Sequence, residues 1–146
     1  MGTDENGRTF TGQEQRRQAL DIHNYPLRLK HELAYLERSK LSDANKAVIR
    51  RFHDDCTVQG LSKPRVIKLI ESMRTLAGIL RVDLEQATID DLKHLVTQIE
   101  THEWTAWTKV TYKAILKKFY KWLRGKDDEY PPEVKWIKLR MKNEGR

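Results

Sequence analysis

With one cysteine, Cys56, among its 146 residues, the chain cannot form an internal disulfide. That fits a reducing, intracellular setting. No apolar run approaches the roughly 18 residues of a membrane span, so no membrane partner is expected. The N-terminus lacks a hydrophobic signal core. Its opening, MGTDEN, also lacks the Ser or Thr that a myristoylation signal wants at the sixth position. No segment alternates as a strand would, and no internal repeat is visible. One absence is local: the stretch WTKVTYKAILKKFYKWLRG, residues 107–125, holds five lysines, an arginine and five aromatic residues but no acid.

What is present is a chain of single-domain size. A hydrophobic share of 38% and a mean hydropathy of −0.75 imply a modest core under a heavily solvated surface. Twelve Phe, Trp and Tyr residues with helical periodicity make it too apolar for a wholly disordered chain. The formal charge is +7, which favours a polyanionic partner. Residues 1–104 contain 16 basic and 16 acidic side chains, whereas residues 105–146 contain 12 and 5. The whole excess therefore lies in one segment, which points to a localised binding surface.

Helical periodicity organises the middle of the chain. Residues 1–24 are polar and read as a mobile tail. A helix is expected from Pro26, with Leu29, Leu33 and Leu36 on one face. Ser42 is suited to cap a helix over 43–59 that buries Val48, Ile49, Phe52 and Cys56 and stops at Gly60. Ser62 is expected to cap the next, with Pro64 near its start and an apolar stripe from Val66 through Leu69, Ile70, Met73, Leu76 and Ala77 to Leu80. Thr88 and Asp91 resemble a capping box ahead of Ile89, Leu92, Leu95, Val96 and Ile99. After a break at His102–Thr105, the basic helix places Tyr112, Ile115, Leu116, Phe119, Trp122 and Leu123 on one arc. Lys109, Lys113, Lys117, Lys121 and Arg124 fall on roughly the opposite arc, and Gly125 ends the helix. Tyr130-Pro131-Pro132 reads as an extended linker before a basic tail. The fold class is all-α.

Like charges three or four residues apart repel one another on a helix. A polyphosphate backbone would neutralise the basic arc and release counterions; an ordinary solvated face is the plainer alternative. Two helix starts sharpen the first reading. Trp107-Thr108-Lys109 and Ser62-Lys63-Pro64-Arg65, followed by Lys68, each combine backbone N–H groups, a hydroxyl and a cation, as phosphate oxygens favour. Two such starts on one face of a bundle would track a duplex, with Lys68, Thr111 and Lys113 reaching toward the groove. The candidate contacts to double-stranded DNA are therefore Ser62, Lys63, Arg65, Lys68, Trp107, Thr108, Lys109, Thr111, Lys113 and Lys117.

The order of motifs resembles the N-terminal core-binding domain of tyrosine recombinases, nearest to integrases of archaeal and phage type. The likeness runs from LSDANKAVIRRFHDDCTVQGLS at 41–62 through TIDDLKHLV to WTKVTYKAILKKFYKWL, and covers about residues 41–140. The tail YPPEVKWIK resembles the connector that such integrases place before their catalytic domain. The resemblance implies a single SAM-like bundle of four to five helices over residues 25–125, with 126–146 as a linker. It implies a DNA clamp with a separate domain, two bundle helices facing the recombination site, and a full-length protein that is tetrameric on DNA. An isolated chain would be a monomer, in the cytoplasm and nucleoid of a prokaryote or under viral direction. Catalysis in that family uses a tyrosine, two arginines, a lysine and a His-x-x-Arg element of the later domain. None of His23, His31, His53, His94 or His102 has arginine three residues on. The chain is thus expected to bind DNA without cleaving it, as a piece of a longer integrase or as a short adaptor. No cofactor is expected.

A different class of reading, a helical protein–protein interaction domain with an acidic partner, stays open. A metal reading is weak. His53 and Cys56 lie one helical turn apart, but a structural zinc site takes about four N/S ligands and no second cluster accompanies them.

Overall fold

The computed structural model describes residues 24–140, so all but Asn24 of the tail expected at 1–24, and the last part of the basic tail, lie outside the described residues. Five helices of thirteen residues or more follow one another: α1 Tyr25–Arg38, α2 Asp43–Val58, α3 Lys63–Ile79, α4 Ile89–Thr101 and α5 Ala106–Arg124. A short α6, Pro132–Lys135, follows, and a single 3-10 turn at Leu84–Gln86 sits between α3 and α4. No strand occurs among the described residues. The protein is an all-α bundle.

The helix limits have local causes. Ser42 Oγ accepts from the Asn45 amide at 3.1 Å and opens α2. Gly60, at φ 84°, closes it. The Leu61 amide then reaches the Cys56 carbonyl and the Gly60 amide reaches that of Thr57. This is a Schellman ending, which needs a residue free to turn left-handed. At the start of α4, Thr88 and Asp91 form a reciprocal capping box. The two hydrogen bonds from Thr88, backbone first, hold the Asp91 carboxyl below its ordinary range.

Two helix starts differ from expectation. Ser62 occupies the N-cap position of α3 with extended backbone, but its hydroxyl makes no capping bond. Helix α5 begins at Ala106, and its cap is Thr105, whose Oγ1 accepts from the Thr108 amide at 3.2 Å.

Helix α3 is central, packing against α1, α2 and α5. Val66, Leu69, Ile70, Met73, Leu76 and Ala77 are buried as the stripe predicts, with Ile67 in addition. From α2, Phe52 meets Phe119 edge-on at 5.1 Å and Trp122 at 5.1 Å. The apolar arc of α5 is therefore core. Between α3 and α4 the chain is irregular yet tightly held. The Leu84 amide donates to buried Asn45 Oδ1 at 2.8 Å, and its carbonyl accepts from Tyr120 Oη at 2.8 Å. Burial pushes the Tyr120 phenol well above its usual range, so it stays a donor.

The largest departure is the C-terminal segment. Tyr130-Pro131-Pro132 was expected to be an extended linker ahead of a basic tail, within a linker over 126–146; Pro131 is extended, but α6 at Pro132–Lys135 packs against α4 and α5, so the segment lies back on the bundle as a strap. Pro131, Val134 and Ile137 are buried, and Trp136 packs beside them. The cause is the apolar residues interleaved with the tail's cations, which gain by leaving water.

Candidate nucleic-acid interface

The basic arc of α5 does not face open solvent. The C-terminal end of α4 covers its first half and the strap covers its second. Lys113 is only 7% exposed, and its Nζ lies 2.7 Å from Glu100 Oε1. Lys109 Nζ donates to the Glu100 carbonyl at 2.8 Å, at the negative end of α4. Lys117 Nζ donates to the Ile137 carbonyl at 2.9 Å. Lys121 Nζ lies 3.1 Å from Asp128 Oδ1. Arg124 donates to the carbonyls of Ala87 and Glu85, at 2.8 and 2.6 Å, and lies 3.7 Å from Glu133 Oε1. The arc read as unrelieved by acids is relieved by groups remote in sequence. Lys113, expected to reach toward a groove, is instead buried in an ion pair.

The first turns of α3 are arranged differently. Ser62, Lys63, Arg65 and Lys68 are all exposed. Among the described residues, neither Lys63 nor Arg65 has an ion pair or side-chain hydrogen bond, and Lys68 contacts only the face of the Tyr112 ring, 5.8 Å from its centroid. The capping site left unused by Ser62 leaves the Arg65 amide without a side-chain acceptor. Three cations, a hydroxyl and uncapped amides therefore share one helix start, with no acid before Glu71.

The first turns of α3 meet α5 along its length, Lys68 lying over the Tyr112 ring in the first half of α5. The Schellman ending fixes the start of α3 beside Cys56. Cys56 in turn lines a cleft of about 270 Å³ with Lys118, Lys121 and Trp122, in the second half of α5. Burial pushes the Cys56 thiol up, against the nearby charge of Lys118. Eleven residues separate Lys118 from Trp107, about 16 Å along a helix. At that far end Trp107 is 69% exposed, Thr108 and Thr111 are half-buried, and both hydroxyls are engaged within the helix.

Lys118 is the residue that helical phase alone missed. It lies off the arc of the other lysines, and the packing of α2 on α5 places it in the cleft lined by Cys56 and Gln59. The sequence offered a partial signal, since Lys117 and Lys118 are adjacent and cannot both share one face.

Elsewhere, His53 Nδ1 pairs with Asp54 at 2.9 Å, Cys56 is buried, and the described residues contain no group of three or more metal-ligating side chains. Among the same residues no helix is long and apolar enough to cross a membrane. No family profile, curated protein or solved structure matches the chain.

Proposed function

We propose that this chain is a DNA-binding module that grips double-stranded DNA without cutting it, as the core-binding part of a site-specific tyrosine recombinase. The observation that carries the reading is the start of α3, where Lys63, Arg65 and Lys68 are exposed without an acidic partner among the described residues. Unneutralised cations beside free helix-start amides favour phosphate oxygens. Counterion release supplies the binding free energy. The order of motifs across residues 41–140 supports the recombinase assignment, and under it strand cleavage belongs to another domain of the parent protein. Trp107, a large exposed indole, remains a candidate contact at the far end of α5.

A second reading, a helical module for an acidic protein, draws on Trp107 and on Val58, which is 85% exposed. Of the two, Trp107 is of the aromatic type enriched at protein interfaces. Salt dependence separates the two. Fluorescence anisotropy with a short duplex should give a slope of log K against log salt of about −0.9 for each phosphate contact, about −3 for three cations. Backbone NMR shifts on DNA addition should cluster at 62–68. A flat salt dependence, or shifts confined to Val58 and Trp107, would transfer the assignment to the protein-partner reading.

A further inference from the structure

The strap carries an acidic run of its own. KDDEYPPE, residues 126–133, holds Asp127, Asp128, Glu129 and Glu133, and it lies along the second half of α5. Asp128 pairs with Lys121 at 3.1 Å, and Glu133 approaches Arg124 at 3.7 Å. The Tyr130 ring stacks under both Lys117, at 4.7 Å, and Lys121, at 4.9 Å. Asp128 also stands in the wall of the cleft formed by Gln59, Lys118, Lys121 and Trp122. The molecule thus lays its own anions and an aromatic face on its own cations.

We propose that the second half of α5, with Lys118 and Lys121, is a second surface for a phosphate polyanion, covered by this acidic run until the polyanion displaces it. The inference rests on the nucleic-acid reading only for the identity of the polyanion. The cover is built to yield in part. Asp128 is 93% exposed in its pair, and an ion pair so open to water and salt adds little stability. Asp127 and Asp128 both sit at positive φ, 54° and 61°, a conformation that residues other than glycine adopt at a cost. Val134 and Ile137, in contrast, are anchored in the core. The run is therefore weakly held between the fixed end of α5 and a fixed anchor. Its displacement would leave Lys118 and Lys121 free in the cleft that Cys56 also lines.

The test compares three full-length proteins with a short DNA duplex and with inorganic polyphosphate, by anisotropy or calorimetry over a salt series. The first is the unaltered chain. The second carries Asp127→Asn, Asp128→Asn and Glu129→Gln, since Asn tolerates the left-handed turn. The third removes the same charge elsewhere, by Asp43→Asn, Asp90→Asn and Glu103→Gln, with circular dichroism checking that each stays helical. The strap variant should bind about tenfold tighter than the unaltered chain. Its salt slope should steepen by about 0.9 for each lysine uncovered, and the charge-matched control should gain far less. Equal gains in both variants would overturn the covered surface and leave the DNA reading intact. Tighter polyphosphate binding by the strap variant alone, with no duplex bound by any protein, would uphold the surface and remove DNA as its ligand. If neither polyanion binds, both proposals fall.

Discussion

Helices α3 and α5 carry similar cations but use them differently. On α5, Lys109, Lys113, Lys117, Lys121 and Arg124 each meet a carbonyl or carboxylate of the same chain. On α3, Lys63 and Arg65 meet none among the described residues. The helix with the more basic sequence therefore has the more neutral surroundings. Net charge along a segment measures how much counter-charge it needs, and a fold can supply that charge from within. What is left for a partner is the remainder, and on these two helices the remainder is Lys63, Arg65 and Lys68 at the start of α3 and Lys118 on α5.

Charge reversal on each helix gives the sharpest contrast. Lys63→Glu with Arg65→Glu should lower duplex affinity by a factor of ten or more at moderate salt, while circular dichroism and melting temperature stay nearly unchanged. An affinity that survives this change would move the DNA face away from α3. Lys113→Ala should act in the opposite sense, on stability before binding. It removes one partner of a half-buried carboxylate, and after allowance for the exposure of Glu100 the cost should be about 1 kcal/mol, read as a lower melting temperature. If Lys113→Ala melts like the unaltered chain yet loses affinity, the sequence-level picture of a solvent-facing α5 arc is restored.

A smaller effect is expected at the junction of α5 and the strap. A Cβ on Gly125 would meet the Lys121 carbonyl at 2.3 Å and the Glu129 carbonyl at 2.6 Å. Gly125→Ala should therefore loosen the strap turn, lower the melting temperature by several degrees, and speed amide exchange at 129–137 more than in α3. The smallest effect serves as a control at a helix start with no proposed ligand. Asp91 is held below its ordinary value of 3.8 by the hydrogen bonds from Thr88. A carboxyl depressed in the folded state stabilises above its unfolded pKa and loses that contribution as pH falls through the folded value. Stability should therefore be insensitive to Asp91 from neutrality down to about pH 4 and weaken below it. Asp91→Asn should blunt that acid loss, as amide exchange at 88–92 would record.

Most of the fold was legible because its signals are local. Ser42, the Gly60 ending, the Thr88–Asp91 box and the apolar stripe of α3 are set by neighbours within one or two turns. The parts that were not legible depend on contacts distant in sequence. Helical phase placed Lys113 opposite the apolar arc, yet it could not show that α4 and the strap cover that side too. It likewise could not bring Lys118 to the cleft beside Cys56, because only the packing of α2 does so. The tail looked like a linker because its cations and prolines dominate its composition; Val134 and Ile137 nonetheless carry enough apolar area to dock it. Among the candidate contacts, Lys63, Arg65 and Lys68 remain open to a ligand, whereas Lys109, Lys113 and Lys117 already have intramolecular partners.

The grip on residues 84–87 has a mechanical consequence. Asn45 from α2 and Tyr120 and Arg124 from α5 all bind backbone groups of that one irregular stretch, so the connection between the early and late helices has no slack. Opening that stretch would break hydrogen bonds from α2 and α5 together, so its amides should exchange no faster than those of the helices that hold it.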